Sequence, residues 1–106
     1  MLYRFKSRTV ADLIMLEPHA RQVLDAIGKT PGPQGIITVA QLPAAIAALE
    51  AAVHEEAQAL AALPPPEDEL EAQQREDAVY LRQRATPFLD MLQRSLAHGH
   101  DVVWGV

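Results

Sequence analysis

The chain has 106 residues, nine Lys+Arg against fourteen Asp+Glu, and a formal net charge of -5. That length fits one domain of roughly 100–150 residues, and 49% hydrophobic with 22% charged residues is a globular balance rather than a disordered one. With no cysteine, disulfide scaffolds, thiolate metal sites and cysteine nucleophiles are excluded; the acidic balance argues against a nucleic-acid partner, and no apolar run approaches the ~20 residues of a membrane span.

Residues Met1 to Lys6 alternate, with Met1, Tyr3 and Phe5 on one face and Arg4 and Lys6 on the other, the period of two of a half-buried strand. The opening is basic, but the run Leu13–Leu16 is too short for a signal-peptide core of ~7–15 residues and Glu17-Pro18-His19 offers no small-residue cleavage site. The segment is therefore read as part of the fold, and the protein as cytoplasmic. Ser7-Arg8-Thr9 is a turn, and Ala11 to Leu16 a second strand, forming an antiparallel hairpin with the first. Because Leu13 through Leu16 are all apolar, this strand is expected to be covered on both faces.

Glu17-Pro18 opens a helix at a position where the missing proline N–H costs nothing. Ala20, Val23, Leu24 and Ile27 form its stripe, Gly28 caps it and Pro31 prevents continuation. Residues 29–35 (KTPGPQG) are turn chemistry, and Gly35 to Thr38 is a short extended piece. Thr38-Val39-Ala40-Gln41 matches a capping box, with Pro43 as the alternative first-turn marker. An alanine-rich helix runs from about Leu42 to Leu63, its stripe carried by Ile46, Leu49, Val53, Leu60 and Leu63. Pro64-Pro65-Pro66 ends it, and residues 64–69 form a Pro-rich acidic connector within the single domain. The last long helix is expected from about Glu69 to His98, with Ala78, Leu81, Ala85, Phe88, Leu92 and Leu96 as its stripe. Pro87 inside it predicts a kink or a restart capped by Thr86. Gly99 caps the end of this helix, and Asp101 to Val106 is β-rich and returns to the sheet.

Residues 36–77 hold nine acids and one base, whereas the first 35 hold five bases and three acids. The acidic block reads as a solvated helical edge. The chain resembles a family of short bacterial proteins catalogued as a domain of unknown function, number eighteen-forty. The residues carrying the likeness are 1–7 (MLYRFKS), 14–18 (IMLEP), 35–37 (GII), 42–49 (LPAAIAAL), 81–85 (LRQRA), Pro87, Met91-Leu92 and 102–106 (VVWGV). The resemblance spans nearly the whole chain and implies no activity, cofactor or catalytic residue.

Among candidate motifs, Gly28-Lys29-Thr30 ends like a phosphate loop but has Val23 where the first glycine is needed, and it follows a helix rather than opening one. His54-Glu55-Glu56-Ala57-Gln58 lacks the second histidine of a zinc-protease helix. Arg82 and Arg84 lie ~200° apart on a helix and do not make one anion clamp; ion pairs with Glu76, Asp77 or Asp90 account for them. His98, His100 and Asp101 are the candidate metal ligands, because Gly99 could turn both rings toward one ion. A histidine at a helix C-terminus also serves simply as a cap. Trp104 is expected in the core, with an interface as the alternative.

The expected fold is α+β: a small antiparallel sheet of three strands, residues 1–6, 11–16 and 101–106, with about three helices packed on one face. No catalytic residue and no cofactor is expected. The favoured function is a non-enzymatic interaction or structural module, self-associating or bound to a protein partner, with no nucleic-acid or membrane partner. The alternative is a small-ligand or metal-binding protein using His98, His100 and Asp101. Too few helices to cover both sides of the sheet would leave Leu2, Ile14 and one face of the last strand exposed, unless a segment near Val79 covers it.

Overall fold

The computed structural model describes residues 2–77 and 81–105. The alternation at the start of the chain becomes β1 (Leu2–Lys6), with Tyr3 and Phe5 buried and Leu2 and Arg4 exposed. It pairs antiparallel with β2 (Leu13–Leu16), so that Leu2 faces Leu16 and Arg4 faces Ile14 across the hairpin. After α1 (Glu17–Ala26) comes β3 (Gly35–Ile37), then α2 (Leu42–Ala61), α3 (Glu69–Asp77), α4 (Leu81–His98) and β4 (Val102–Trp104). The fold is α+β, with, among the described residues, a wholly antiparallel sheet of order β2-β1-β4-β3 and four helical spans.

The sheet has one strand more than its sequence announces. Gly35–Ile37 pairs along β4, with Gly35 opposite Trp104 and Ile37 opposite Val102. Glycine is what admits this pairing: a Cβ on Gly35 would lie 2.5 Å from the Trp104 ring atoms Cε2 and Cη2. The Trp104 indole Nε1 donates to the Gly32 carbonyl at 3.1 Å, which ties the ring to the turn before β3. Trp104 is buried and belongs to the core.

Helix ends form where the punctuation residues sit. Gly28 has φ +78 and Gly99 φ +71; the amides that follow them close back onto Leu24 and Ser95 carbonyls at 2.9 Å, the hydrogen-bond pattern of a left-handed glycine cap. At the start of α2 the Gln41 side-chain oxygen accepts from the Thr38 N–H at 3.1 Å, the returning half of the expected capping box. Asp68 accepts from the Glu71 N–H at 2.8 Å while the Glu71 carboxylate takes the Glu67 N–H at 3.2 Å, and α3 begins there. Helix α4 runs through Pro87 without a restart. Thr86 is no N-cap: its hydroxyl donates to the Arg82 carbonyl one turn back, at 2.8 Å. The long-helix expectation also covered Ala78 and Val79, which lie outside the described residues.

Helices α1 and α4 lie on one sheet face, and α2 packs mainly on α4. The core joins Tyr3, Phe5 and Met15 of the sheet to Val23 and Leu24 of α1, Leu42 and Leu49 of α2, and Phe88, Met91 and Leu92 of α4. Phe5 is its centre, with ring centroids 4.8 Å from Phe88 and 5.7 Å from Trp104. The one buried polar side chain among the described residues, Ser95, is satisfied by the Ser7 hydroxyl at 2.7 Å. Beyond Leu49 no residue of α2 is buried, and residues 62–70 are exposed throughout. The molecule is accordingly long, 48 × 27 × 22 Å with a radius of gyration of 15.3 Å, against about 13 Å expected of a compact domain this size.

Candidate interaction surface

Among the described residues, the helices that pack on the sheet do so from one side, and the other face is built from the outward residues of each strand. Leu2 (61% exposed), Ile14 (51%), Leu16 (53%) and Ile36 (43%) lie there. Cross-strand register gathers Leu2, Leu16 and Ile14 into one corner and sets Val103 beside Ile36 at the opposite one. Arg4 and Lys6 run between the corners, with Lys6 opposite Val103. Arg4 is 4.0 Å from Asp12. Ile14 and Leu16 are where strand reading and structure part: β2 looks covered on both faces, but only Leu13 and Met15 meet the helices.

At the Lys6 end of this face a cleft of about 590 Å³ opens between the β1–β2 turn and the α4–β4 turn, lined among others by Lys6, Arg8, Asp12, His100 and Asp101. Its two turns are held together by side chains: Ser7 to Ser95, and the Thr9 hydroxyl to His100 Nδ1 at 2.7 Å. Lys6 and Arg8, by contrast, form no ion pair among the described residues. The cleft therefore presents two cations outside any ion pair, beside an apolar face and on the same lining as the Asp12 and Asp101 carboxylates. Sequence reading passed over both residues; the signal was present in the alternation that puts Arg4 and Lys6 on the strand's outer side.

The candidate metal residues have separate partners. His98 Nδ1 lies 3.0 Å from the Arg94 carbonyl, His100 is bound to Thr9, and Asp101 accepts from the Val39 N–H at 2.8 Å. His100 and Asp101 line one cleft while His98 does not. Among the described residues no three His, Asp or Glu side chains are grouped to hold an ion. Lys29 of the phosphate-loop-like tripeptide reaches Gln41 Oε1 at 2.9 Å, and His54 is exposed on α2. Asp90 pairs with Arg94 at 3.0 Å; the other expected arginine partners, Glu76 and Asp77, lie outside the described side chains. His19, on α1, titrates below its ordinary range because of desolvation and the nearby Arg84 charge.

A family described as "Domain of unknown function (DUF1840)" matches residues 1–104. The chain belongs to the DUF1840 family. No curated protein and no solved structure matches it. The match takes in all four strands and all four helices, so the open sheet face and the cleft are both part of what the family designation covers. No helix among the described residues of the DUF1840 domain is long and apolar enough to cross a membrane.

Proposed function

We propose that this DUF1840 domain is a non-enzymatic interaction module that associates with a second copy of itself through the open sheet face. The observation that carries the reading is the row of half-exposed Leu2, Ile14, Leu16 and Ile36 side chains opposite the helix-covered face. Fully burying one such side chain contributes about 1.5–3 kcal/mol. Covering the exposed half of four of them gives roughly 3–6 kcal/mol per face and ~6–12 for two faces. Association costs about 4–15 kcal/mol before any contact is made, so the expected complex is weak, with a dissociation constant in the micromolar range or above. The proposed setting is the cytoplasm.

Sedimentation equilibrium between low and high micromolar concentration tests this. The expected result is a reversible dimer that Ile14→Asp dissociates while the circular dichroism spectrum is retained. A strictly monomeric wild-type protein at several hundred micromolar would end the reading. A second reading, a small-ligand or metal-binding protein, rests on His100 and Asp101 sharing the cleft. There an ion would have to displace the Thr9 and Val39 hydrogen bonds, and zinc titration of untagged protein decides it.

A further inference from the structure

Two exposed large apolar side chains, Leu63 (46%) and Leu70 (66%), lie away from the sheet. They flank residues 64–69, PPPEDE, at the end of the molecule where α2 has left the core. We propose that this tip is what occupies the open sheet face: the 63–70 segment of one copy docks on the face and cleft of a second copy. This rests on the self-association reading and names its two sides.

Charge and spacing both point this way. Placed directly against its own copy, the sheet face would set Arg4 and Lys6 against like charges, which opposes that pairing. The tip is the complement, apolar at Leu63 and Leu70 and acidic at Glu67 and Glu69. Neither of these two carboxylates forms an ion pair among the described residues, whereas Asp68 is occupied in capping α3. The distances agree. Along β1, Leu2 to Lys6 is four steps at ~3.3 Å, about 13 Å. From Leu63 across three prolines to Glu67 is four steps at ~3.1 Å, about 12 Å. Leu63 on the Leu2–Leu16 corner thus brings Glu67 to Lys6 and Arg8. All six exposed large apolar side chains among the described residues then belong to one side or the other of a single contact. Made reciprocally about a two-fold axis, it closes a dimer without leaving a second face open.

The test is sedimentation of full-length wild type, Ile14→Asp, the tip variant Glu67→Lys/Glu69→Lys and the cleft variant Lys6→Glu/Arg8→Glu, with melting curves showing that each folds. Both charge variants are expected to weaken the dimer at least ~10-fold, and mixing them is expected to restore it, since each then meets opposite charge. Wild-type association is expected to weaken between 0.05 and 0.5 M salt. A glutamate-specific protease is expected to cut at Glu67 or Glu69 in dilute protein and more slowly at dimer concentrations. If Ile14→Asp dissociates the dimer but the tip variant does not, the tip assignment falls and the open face alone stands. If wild type never dimerises, both fall.

Discussion

Replacing Gly35 with alanine perturbs the point where β3 depends on a single ring. The new Cβ would sit 2.5 Å from Cε2 and Cη2 of Trp104, where ordinary contact needs about 3.5–4.0 Å. Because Cζ2 lies closer still, the ring must retreat by about 1.5 Å or more, or the strands must part. Retreat is resisted by Phe5 at 5.7 Å between centroids and by the hydrogen bond from Nε1 to Gly32. Overpacking of a core costs ~1–3 kcal/mol, and a buried donor left without its acceptor ~1–3 more. The reduced freedom of the unfolded chain gives back ~0.4–1, so the net loss is about 1–6 kcal/mol, centred near 3. For a domain of this size the central value lowers Tm by roughly 10–25 °C. Trp104 is the only tryptophan, so its fluorescence reports both the unfolding transition and the wetting of the ring. The control is Gly28→Ala, where nothing lies within 4 Å and only a positive φ of +78 opposes the substitution, at about 1–2 kcal/mol. A Gly35→Ala protein as stable as wild type, or more stable than Gly28→Ala, would refute the proposed role of that glycine.

Two further outcomes test other parts of the structure. Phe88→Ala, at the fully buried contact between α4 and Phe5, is expected to cost ~3–5 kcal/mol in urea denaturation, and an unchanged midpoint would mean the α4 stripe is not core. His19 titrates below its unfolded value, so the folded protein binds fewer protons than the unfolded chain as pH falls through ~6.5. Stability is expected to decline from pH 7.5 to 5.5, and His19→Asn to flatten that decline.

Much of this architecture was legible locally. The Ala20–Val23–Leu24 stripe, the Gly28 and Gly99 caps and the core positions Leu49, Leu81, Phe88 and Leu92 follow from spacing and punctuation within a few residues. Gly35–Ile37 was not read as a strand of the sheet because its partner in pairing, Val102–Trp104, lies at the other end of the chain, and three residues hold too little periodicity to declare it. Of the kink or restart expected at Pro87, the restart does not occur, for a similar reason. Position and neighbours override the proline's propensity once α4 is packed on both the sheet and α2. At the candidate site, His98, His100 and Asp101 are close in sequence but make hydrogen bonds to three different partners, with Gly99 at φ +71 between the two histidines.

The open face itself follows from a mismatch between what the strands ask for and what the helices supply. Four strands at ~4.8 Å spacing make a sheet about 15–20 Å wide, and two helices of ~10 Å diameter cover one side of it. Helices α1 and α4 do so. A third helix could have covered the other side, and α2 is long enough at 20 residues, but it packs on α4, where Leu42, Ala45 and Leu49 are buried. Meanwhile β2 carries four apolar residues in succession, Leu13 to Leu16, a composition suited to a strand enclosed on both faces. A strand with a solvated face would gain by placing polar residues at positions 14 and 16, as β1 does with Arg4 and Lys6. The apolar outer residues are therefore not covered by any described element of one copy. The proposed contact is one that would cover them, and the acidic, Leu-flanked tip is the surface whose charge and spacing that proposal sets against the face.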